Sequence, residues 1–315
     1  MRTVYLGTSD FAATVLQRLA SSPHAPALVV TPPDSRQGRG RKVSPPPVAE
    51  LAKELGTGLM QAKSVNDEDA LARIRAAKPE AILVCAFGQL IREPLLSLTE
   101  FLNVHPSLLP RWRGAAPIER AIMARDPKTG VCVMRLTAGL DSGPVALRAE
   151  VELADDEDYG ALASRLAALG GDLLVEALDL LADGTLAFTE QDDGAATYAE
   201  KIDNADRRLD PAEPAADLAA KVRALTPHIG AYLELEGGER LGVRGARAVG
   251  AMPAAEDGVD SAPAPLAPGD VVVDGGGIFV GTGDGILRLD VVQPPGGNPM
   301  AIDAFLRGHQ PPKLA

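Results

Sequence analysis

The sequence predicts an α/β protein: a mostly parallel sheet with helices on both faces, followed by a small β-barrel. Three observations predict it. Strand-like and helix-like segments alternate through the first part of the chain, the pattern of strands joined by helical crossovers. Ala81–Phe87 is a continuous apolar run, which suits a strand buried on both faces. Near residue 185 the alternation stops, and short β-like runs with glycine-rich turns take over, which suits a small barrel.

Each element has its own signal. Val4–Leu6 reads as a strand ended by Gly7, and Ser9 or Asp10 can cap a helix whose apolar positions are Phe11, Val15, Leu16 and Leu19. Ala27–Thr31 is a second strand, Val48–Leu55 and Ala70–Ala77 are helical, and Leu102–Val104 is a strand. Pro117 suits the first turn of a helix through Ala124. Val131–Leu136 and Val145–Val151 read as strands, and Tyr159–Leu181 as a long amphipathic helix. Residues 189–207 are polar and lack apolar periodicity, so they read as an ordered linker between a domain over 1–188 and another over 208–315. The second carries a helix around Ala215–Leu225 and strands at Ala231–Leu235, Arg240–Ala248, Asp270–Val273, Ile278–Gly281 and Ile286–Val292. Ala251–Pro268, rich in proline and alanine, reads as a surface loop.

The bulk properties narrow the function. A chain of 315 residues is long for one core and comfortable for two. Cys85 and Cys132 lie in apolar runs and read as buried free thiols of a reducing compartment. The four histidines, His24, His105, His228 and His309, are far apart, so no metal is expected. The first strand begins too soon for a signal peptide, and no apolar stretch approaches the ~18 residues of a membrane span. A soluble, cytoplasmic protein without a membrane partner is therefore expected. A monomer is expected too, because no long apolar stripe is left over. The net charge of −12 opposes nucleic-acid binding in bulk, so any such contact must come from a local basic patch. The segment Arg36-Gln37-Gly38-Arg39-Gly40-Arg41-Lys42 is the conspicuous one.

The chemistry concentrates in residues 101–120. Asn103 and His105 sit two apart at the end of a short apolar run, and on a strand such a pair shares one face. Pro106 and Pro110 stiffen the loop beyond that strand. Further on, Gly139-Leu140-Asp141-Ser142-Gly143 sets a carboxylate between two glycines. Amide, imidazole and carboxylate near strand ends suit proton-assisted attack on a carbonyl. Capping of a strand end and a turn is the plainer use of the same residues. Ligands of parallel sheets bind beyond the carboxyl ends of the strands, which puts Gly88, Gln89, Asn103 and His105 in one crevice. Gly7-Thr8-Ser9-Asp10-Phe11 lacks the G-x-G-x-x-G loop of a dinucleotide site.

The run Asn103-Val104-His105-Pro106-Ser107-Leu108-Leu109-Pro110-Arg111-Trp112-Arg113-Gly114-Ala115-Ala116-Pro117-Ile118 resembles the signature of formyltetrahydrofolate-dependent formyltransferases. Gly139–Gly143 looks like the aspartate loop of that family, and Leu6–Ala12, Pro33–Lys42 and Thr197-Tyr198-Ala199-Glu200-Lys201 also fit it, so the resemblance spans nearly the whole chain. It implies a Rossmann-like catalytic domain and an oligonucleotide-binding-like barrel. It implies 10-formyltetrahydrofolate as formyl donor and charged initiator methionyl-tRNA as acceptor. Asn103, His105 and Asp141 are then catalytic. Ser107, Leu108, Leu109 and Pro110, with Phe87, Gly88, Gln89 and Ile91 as the opposite wall, bind the folate. Arg36, Arg39, Arg41 and Lys42 contact the tRNA, with Arg39 foremost.

The sequence departs from the family in three places. Phe87 stands where tyrosine is frequent, Thr226-Pro227-His228-Ile229 lacks the usual second proline, and from Asp206 onward ten basic residues face fifteen acidic ones. A stripe of Arg207, Arg208, Lys221, Arg223, Arg240, Arg244 and Arg247 is what remains for a tRNA body. The alternative enzyme of the same family formylates a nucleotide-linked amino sugar, against which the basic loop and the C-terminal segment argue. A non-catalytic RNA-binding module is disfavoured by the intact Asn103, His105 and Asp141.

Overall fold

The structure is a computed structural model that describes residues 1–37, 42–250 and 266–315, the side chains of Gln37 and Lys42 excepted. The chain forms two compact units. One holds Met1–Pro117, Lys128–Glu152 and Ala163–Ala199, and the other Ile118–Pro127, Leu153–Leu162 and Glu200–Ala315. In chain order the elements are β1 (Thr3–Gly7), α1 (Asp10–Ala20), β2 (Pro26–Thr31), β3 (Ser35–Gln37), β4 (Lys42–Ser44), α2 (Pro47–Glu54), β5 (Gly58–Gln61), α3 (Glu68–Ala76), β6 (Ala81–Cys85) and β7 (Glu100–His105). Next come β8 (Arg113–Gly114), α4 (Pro117–Met123), β9 (Lys128–Arg135), β10 (Val145–Glu152), α5 (Tyr159–Ala182), β11 (Tyr198–Ala199), α6 (Asn204–Arg207) and α7 (Ala215–Leu225). The last are β12 (Ala231–Glu234), β13 (Arg240–Val249), β14 (Val271–Asp274), β15 (Gly277–Gly281), β16 (Ile286–Gln293), β17 (Met300–Ala301) and α8 (Ile302–Gly308).

The first unit is built on a seven-stranded sheet of order β10-β9-β7-β6-β1-β2-β5. Five neighbours from β5 to β7 run parallel, and β9 and β10 run antiparallel. The chain winds outward from β1 through β2 to β5, then resumes at β6 on the other side. The carboxyl ends of β1 and β6 are thus the switch point where such sheets bind ligands. There Thr8 Oγ1 donates to the Phe87 carbonyl at 2.8 Å. Ser9 caps α1, its side chain accepting from Ala12 N–H. The buried positions Ala12, Val15, Leu16 and Leu19 of α1 follow the helical period.

Strand periodicity then sorts the side chains of β7. Leu102 and Val104 join a core with Leu16 of α1 and Leu174 of α5. Phe101 belongs to the opposite core with Ile82 and Ile74 of α3. Asn103 and His105 share the Phe101 face by the two-residue alternation. Gly170 lets α5 approach closely, for a Cβ there would lie 2.8 Å from Val104 Cγ1.

Three segments differ from the expectation. Gly58–Gln61 is a strand at the sheet edge, too short and too mixed to show a period. The basic segment is framed by an antiparallel pair, β3 with β4, and its residues 38–41 lie outside the described residues. Part of the polar stretch 189–207 builds onto the first unit: Thr189 exchanges two backbone hydrogen bonds with Val145 at 2.8 and 2.9 Å, and β11 pairs in parallel with β8.

In the second unit α6 opens with a capping box, in which Asp203 accepts from Asp206 N–H while the Asp206 carboxylate accepts from Asp203 N–H. Arg120 then forks onto the Asp206 carboxylate at 2.7 and 2.8 Å, which holds that carboxyl below the usual range. The expected barrel takes the form of an antiparallel sheet of order β12-β13-β16-β15-β14, with β17 on β16. Leu233, Leu241, Val243, Ile278, Leu287 and Leu289 line one core with Leu218 and Val222 of α7 and Phe305 of α8. Of the expected loop Ala251–Pro268, residues 251–265 lie outside the described residues. Among the described residues no helix is long and apolar enough to cross a membrane.

The packing is testable at Gly170 and at the two cysteines. Gly170→Ala raises helix propensity yet must displace Val104, so the clash outweighs the gain and equilibrium denaturation shows a loss of about 1–3 kcal/mol, larger for Gly170→Leu. Burial pushes the Cys85 thiol up to about 12 and the Cys132 thiol up to about 11. The fold therefore favours the protonated thiols. That contribution is complete below the ordinary thiol value of about 8.5 and is lost as pH rises above it. The native protein at pH 8 should resist a thiol reagent that titrates both cysteines after unfolding, and its denaturation midpoint should fall from pH 9 upward.

Candidate active site

The site starts from two polar side chains on an apolar strand. Asn103 is 7% and His105 4% exposed, and β6 and β9 flank them through Val84, Met134 and Cys132. Buried polar groups require partners. His105 Nε2 lies 2.9 Å from the Trp112 carbonyl. A carbonyl only accepts, so Nε2 carries a proton and Nδ1 is the ring nitrogen left for chemistry. Nδ1 lies 3.8 Å from Asp141 Oδ2. That is too far for a hydrogen bond and within ion-pair distance of a protonated ring. The same Oδ2 accepts from Gly114 N–H at 2.9 Å.

Both partners of the imidazole have unusual backbones. Trp112 has φ +65° and Asp141 has φ +45°, a region that bulky residues seldom enter. At Trp112 this conformation turns the carbonyl to His105 while the N–H donates to Thr197 Oγ1 at 2.9 Å. Arg113, 3% exposed, donates from Nε to Gln191 Oε1 and pairs with Asp193. Gln191 in turn donates to the carbonyls of Asp141 and Gly143. Arg113 is thus a buried structural cation. Gln191 and Thr197, which contact Asp141 and Trp112, are positions the sequence reading missed. Thr197 had a signal, the Thr197-Tyr198-Ala199 motif; Gln191 had none, being one polar residue in a polar stretch.

The residues expected at the folate divide into those that build the loop and those that face outward. Ser107 is fully buried, and its Oγ donates to the Arg111 carbonyl at 2.7 Å. Leu109 is 1% exposed and packs with Cys132, Met134 and Val145. Leu108 and Pro110 are half-buried, and Leu108 Cδ2 lies where a side chain on Gly130 of β9 would go. On the other wall Phe87 and Ile91 are buried in the core, while Gly88, at φ +76°, is exposed. The Gln89 side chain is committed to the backbone after β5, accepting from Val65 N–H at 2.8 Å and donating to the Ala62 carbonyl at 3.0 Å. Phe87–Gln89 therefore presents backbone, and Leu108 presents the apolar side chain.

Of the cations expected at the tRNA, Arg36 is exposed on β3 beyond the carboxyl end of β2. Arg39, Arg41 and the Lys42 side chain lie outside the described residues. In the second unit the basic stripe is largely answered from within. Arg208 pairs with Glu234 at 3.2 Å, Lys221 with Glu213 at 3.0 Å and Arg247 with Asp290 at 3.3 Å. Arg244 donates to Gln293 at 2.8 Å, and Arg207 to the Gly230 carbonyl at 3.1 Å.

A carboxylate, a tautomer-fixed imidazole and a carboxamide at the carboxyl end of a parallel sheet suit an enzyme acting at a carbonyl. Comparison with known proteins gives the family. Residues 1–178 match the formyl transferase family, and residues 201–310 match the formyl transferase C-terminal domain. The chain belongs to the formyl transferase family. It is 41% identical over 311 residues to a methionyl-tRNA formyltransferase of Halorhodospira halophila, covering 98% of this chain and 96% of that one. Among solved structures it is similar to HypX from Aquifex aeolicus in complex with tetrahydrofolic acid, at TM-score 0.62 and 17% identity, covering 98% of this chain and 47% of that one. It is also similar to the sugar 3N-formyl transferase WlaRD, at TM-score 0.65 and 12% identity, covering 92% of this chain and 96% of that one. Both likenesses are of fold.

Gly114 tests the geometry. Its φ is +119°, and a Cβ would lie 2.7 Å from the Ala199 carbonyl oxygen. Gly114→Ala should push β8 off β11 and move the N–H that holds Asp141. Formyl-transfer activity should fall about a hundredfold, as a displacement near 1 Å does, while circular dichroism stays native.

Proposed function

We propose that the protein transfers the formyl group of 10-formyltetrahydrofolate to the α-amino group of methionyl-initiator-tRNA, giving the formylated aminoacyl-tRNA used to begin translation. The observation that carries the chemistry is His105, fixed at Nε2 by Trp112 and facing the Asp141 carboxylate with Nδ1. The 41% identity to a methionyl-tRNA formyltransferase over nearly the full length supports the acceptor.

The amine nitrogen attacks the formyl carbon, and negative charge grows on the formyl oxygen. The Asn103 carboxamide and Nδ1–H of a protonated His105 are the donors for that oxygen, and such a donor is worth about 3–4 kcal/mol in the transition state. Asp141 stabilises the imidazolium and, directly or through water, takes the proton the attacking ammonium must lose. The carbon–N10 bond then breaks, and tetrahydrofolate leaves with the proton that Asp141 took from the amine now on N10. The folate lies against Leu108 and Pro110 on one side and the backbone of Phe87, Gly88 and Gln89 on the other. Ser107, Leu109 and Ile91 shape that pocket from behind.

The first unit, to which residues 189–199 of the expected linker belong, acts as the catalytic domain, and the second unit as the tRNA-binding domain. Arg36, Arg39, Arg41 and Lys42 hold the acceptor end by phosphate and base-edge contacts. Arg208, Lys221 and Arg247 of the second unit are paired with carboxylates, which leaves the loop a larger share of the electrostatic attraction. The protein works as a cytoplasmic monomer.

Formyl transfer to charged initiator tRNA tests this reading. Asn103→Ala should lower kcat about 10²–10³-fold. Arg39→Ala should instead raise KM for the tRNA and flatten the salt dependence of kcat/KM. Transfer to an amino sugar nucleotide with no transfer to the tRNA would assign a different acceptor.

A further inference from the structure

Behind Asp141 the hydrogen bonds close into a ring. Gln191 Nε2 donates to the Asp141 carbonyl at 2.8 Å and to the Gly143 carbonyl at 2.6 Å. Its Oε1 accepts from Arg113 Nε at 3.0 Å. With both amide protons on carbonyls and the oxygen on a guanidinium, only one orientation of the carboxamide satisfies every partner. Arg113 is itself fixed by Asp193 at 2.7 Å. The next residue along, Gly114, donates its N–H to Asp141 Oδ2 at 2.9 Å. The dipeptide Arg113–Gly114 therefore grips Asp141 twice, at the carboxylate directly and at the backbone through Gln191.

The loop needs that second grip. Gly139 and Gly143 flank the aspartate, and glycine-flanked backbone has many conformations to choose from. Asp141 sits at φ +45°, which is not the default for its residue type. Its carboxylate reaches His105 across 3.8 Å, so a small rotation of the loop would lose the electrostatic contact.

We propose that Gln191 is a positioning residue of the formyl-transfer reaction, which fixes the Asp141 loop by donating both amide protons to the carbonyls of Asp141 and Gly143. The inference rests on the reading of Asp141 as a catalytic group. It goes beyond packing, because the two donors and the acceptor of Gln191 have separate partners and are separable by substitution. Gln191→Glu keeps the size of the side chain and the acceptor for Arg113, and removes both donors.

Steady-state formyl transfer by the full chain tests it, with Gln191→Glu, Gln191→Ala, Asp141→Ala and the double variant Gln191→Ala/Asp141→Ala. Both single variants at 191 should lose kcat about ten- to a hundredfold, with KM for folate and for tRNA within about twofold of the parent. In the Asp141→Ala background, Gln191→Ala should cost nothing more, since its effect passes through the carboxylate. Full kcat in Gln191→Glu would overturn the proposal, for the side chain would then serve Arg113 alone. Independent, multiplying losses in the double variant would overturn it as well. Full kcat in Asp141→Ala is the distinct result that removes the reading beneath it. Thermal unfolding of Gln191→Ala reports whether a loss is one of fold, and a collapse of its melting transition counts against a positioning role.

Discussion

Burying a polar side chain obliges the rest of the protein to answer it. The first unit places Asn103 and His105 on a central strand whose neighbours on either side are apolar. An imidazole there without partners would cost more than a surface ion pair returns. The chain answers with the Trp112 carbonyl and the Asp141 carboxylate, and each is delivered by a backbone in the left-handed region. Those two conformations are in turn held by Thr197, Gly114 and Gln191. Strain at the centre is thus matched by hydrogen bonds one layer out, an arrangement typical of functional sites.

The same constraint explains the division of labour among the conspicuous residues. Ser107 and Leu109 belong to the signature run, yet the first ties its turn and the second fills the core beneath it. Gln89 reaches back to the chain after β5. Such residues keep the backbone around them in place.

Much of this was legible in the sequence. Long periodic segments such as α5 and continuous apolar runs such as β6 state their own identity, because burial on a helix stripe or on both faces of a sheet dictates composition. The pairing of Asn103 with His105 follows from the two-residue period of a strand. What was not legible depends on contacts between distant segments. Gly58–Gln61 is a strand because β2 offers an edge, and Tyr198–Ala199 is one because β8 does. Gln191 is ordinary in its own neighbourhood and acquires a purpose only when Arg113 and Asp141 are brought to it. Likewise Arg208, Lys221 and Arg247 of the basic stripe looked like free charge until their carboxylate partners were placed beside them.

The pairing of β8 with β11 has a consequence for the order of events during synthesis. The strand that carries His105 and the loop that carries Trp112 leave the ribosome early, but their partners Gln191, Thr197 and Ala199 emerge some eighty residues later. Contacts so far apart in sequence form late and slowly. A nascent chain that ends within α5 has its sheet, its imidazole and the Gly114 N–H for the Asp141 carboxylate, but lacks the Thr197 contact to Trp112 and the Gln191 contact to the Asp141 backbone. The contacts that complete this region therefore wait for the segment after α5 to fold back onto the sheet.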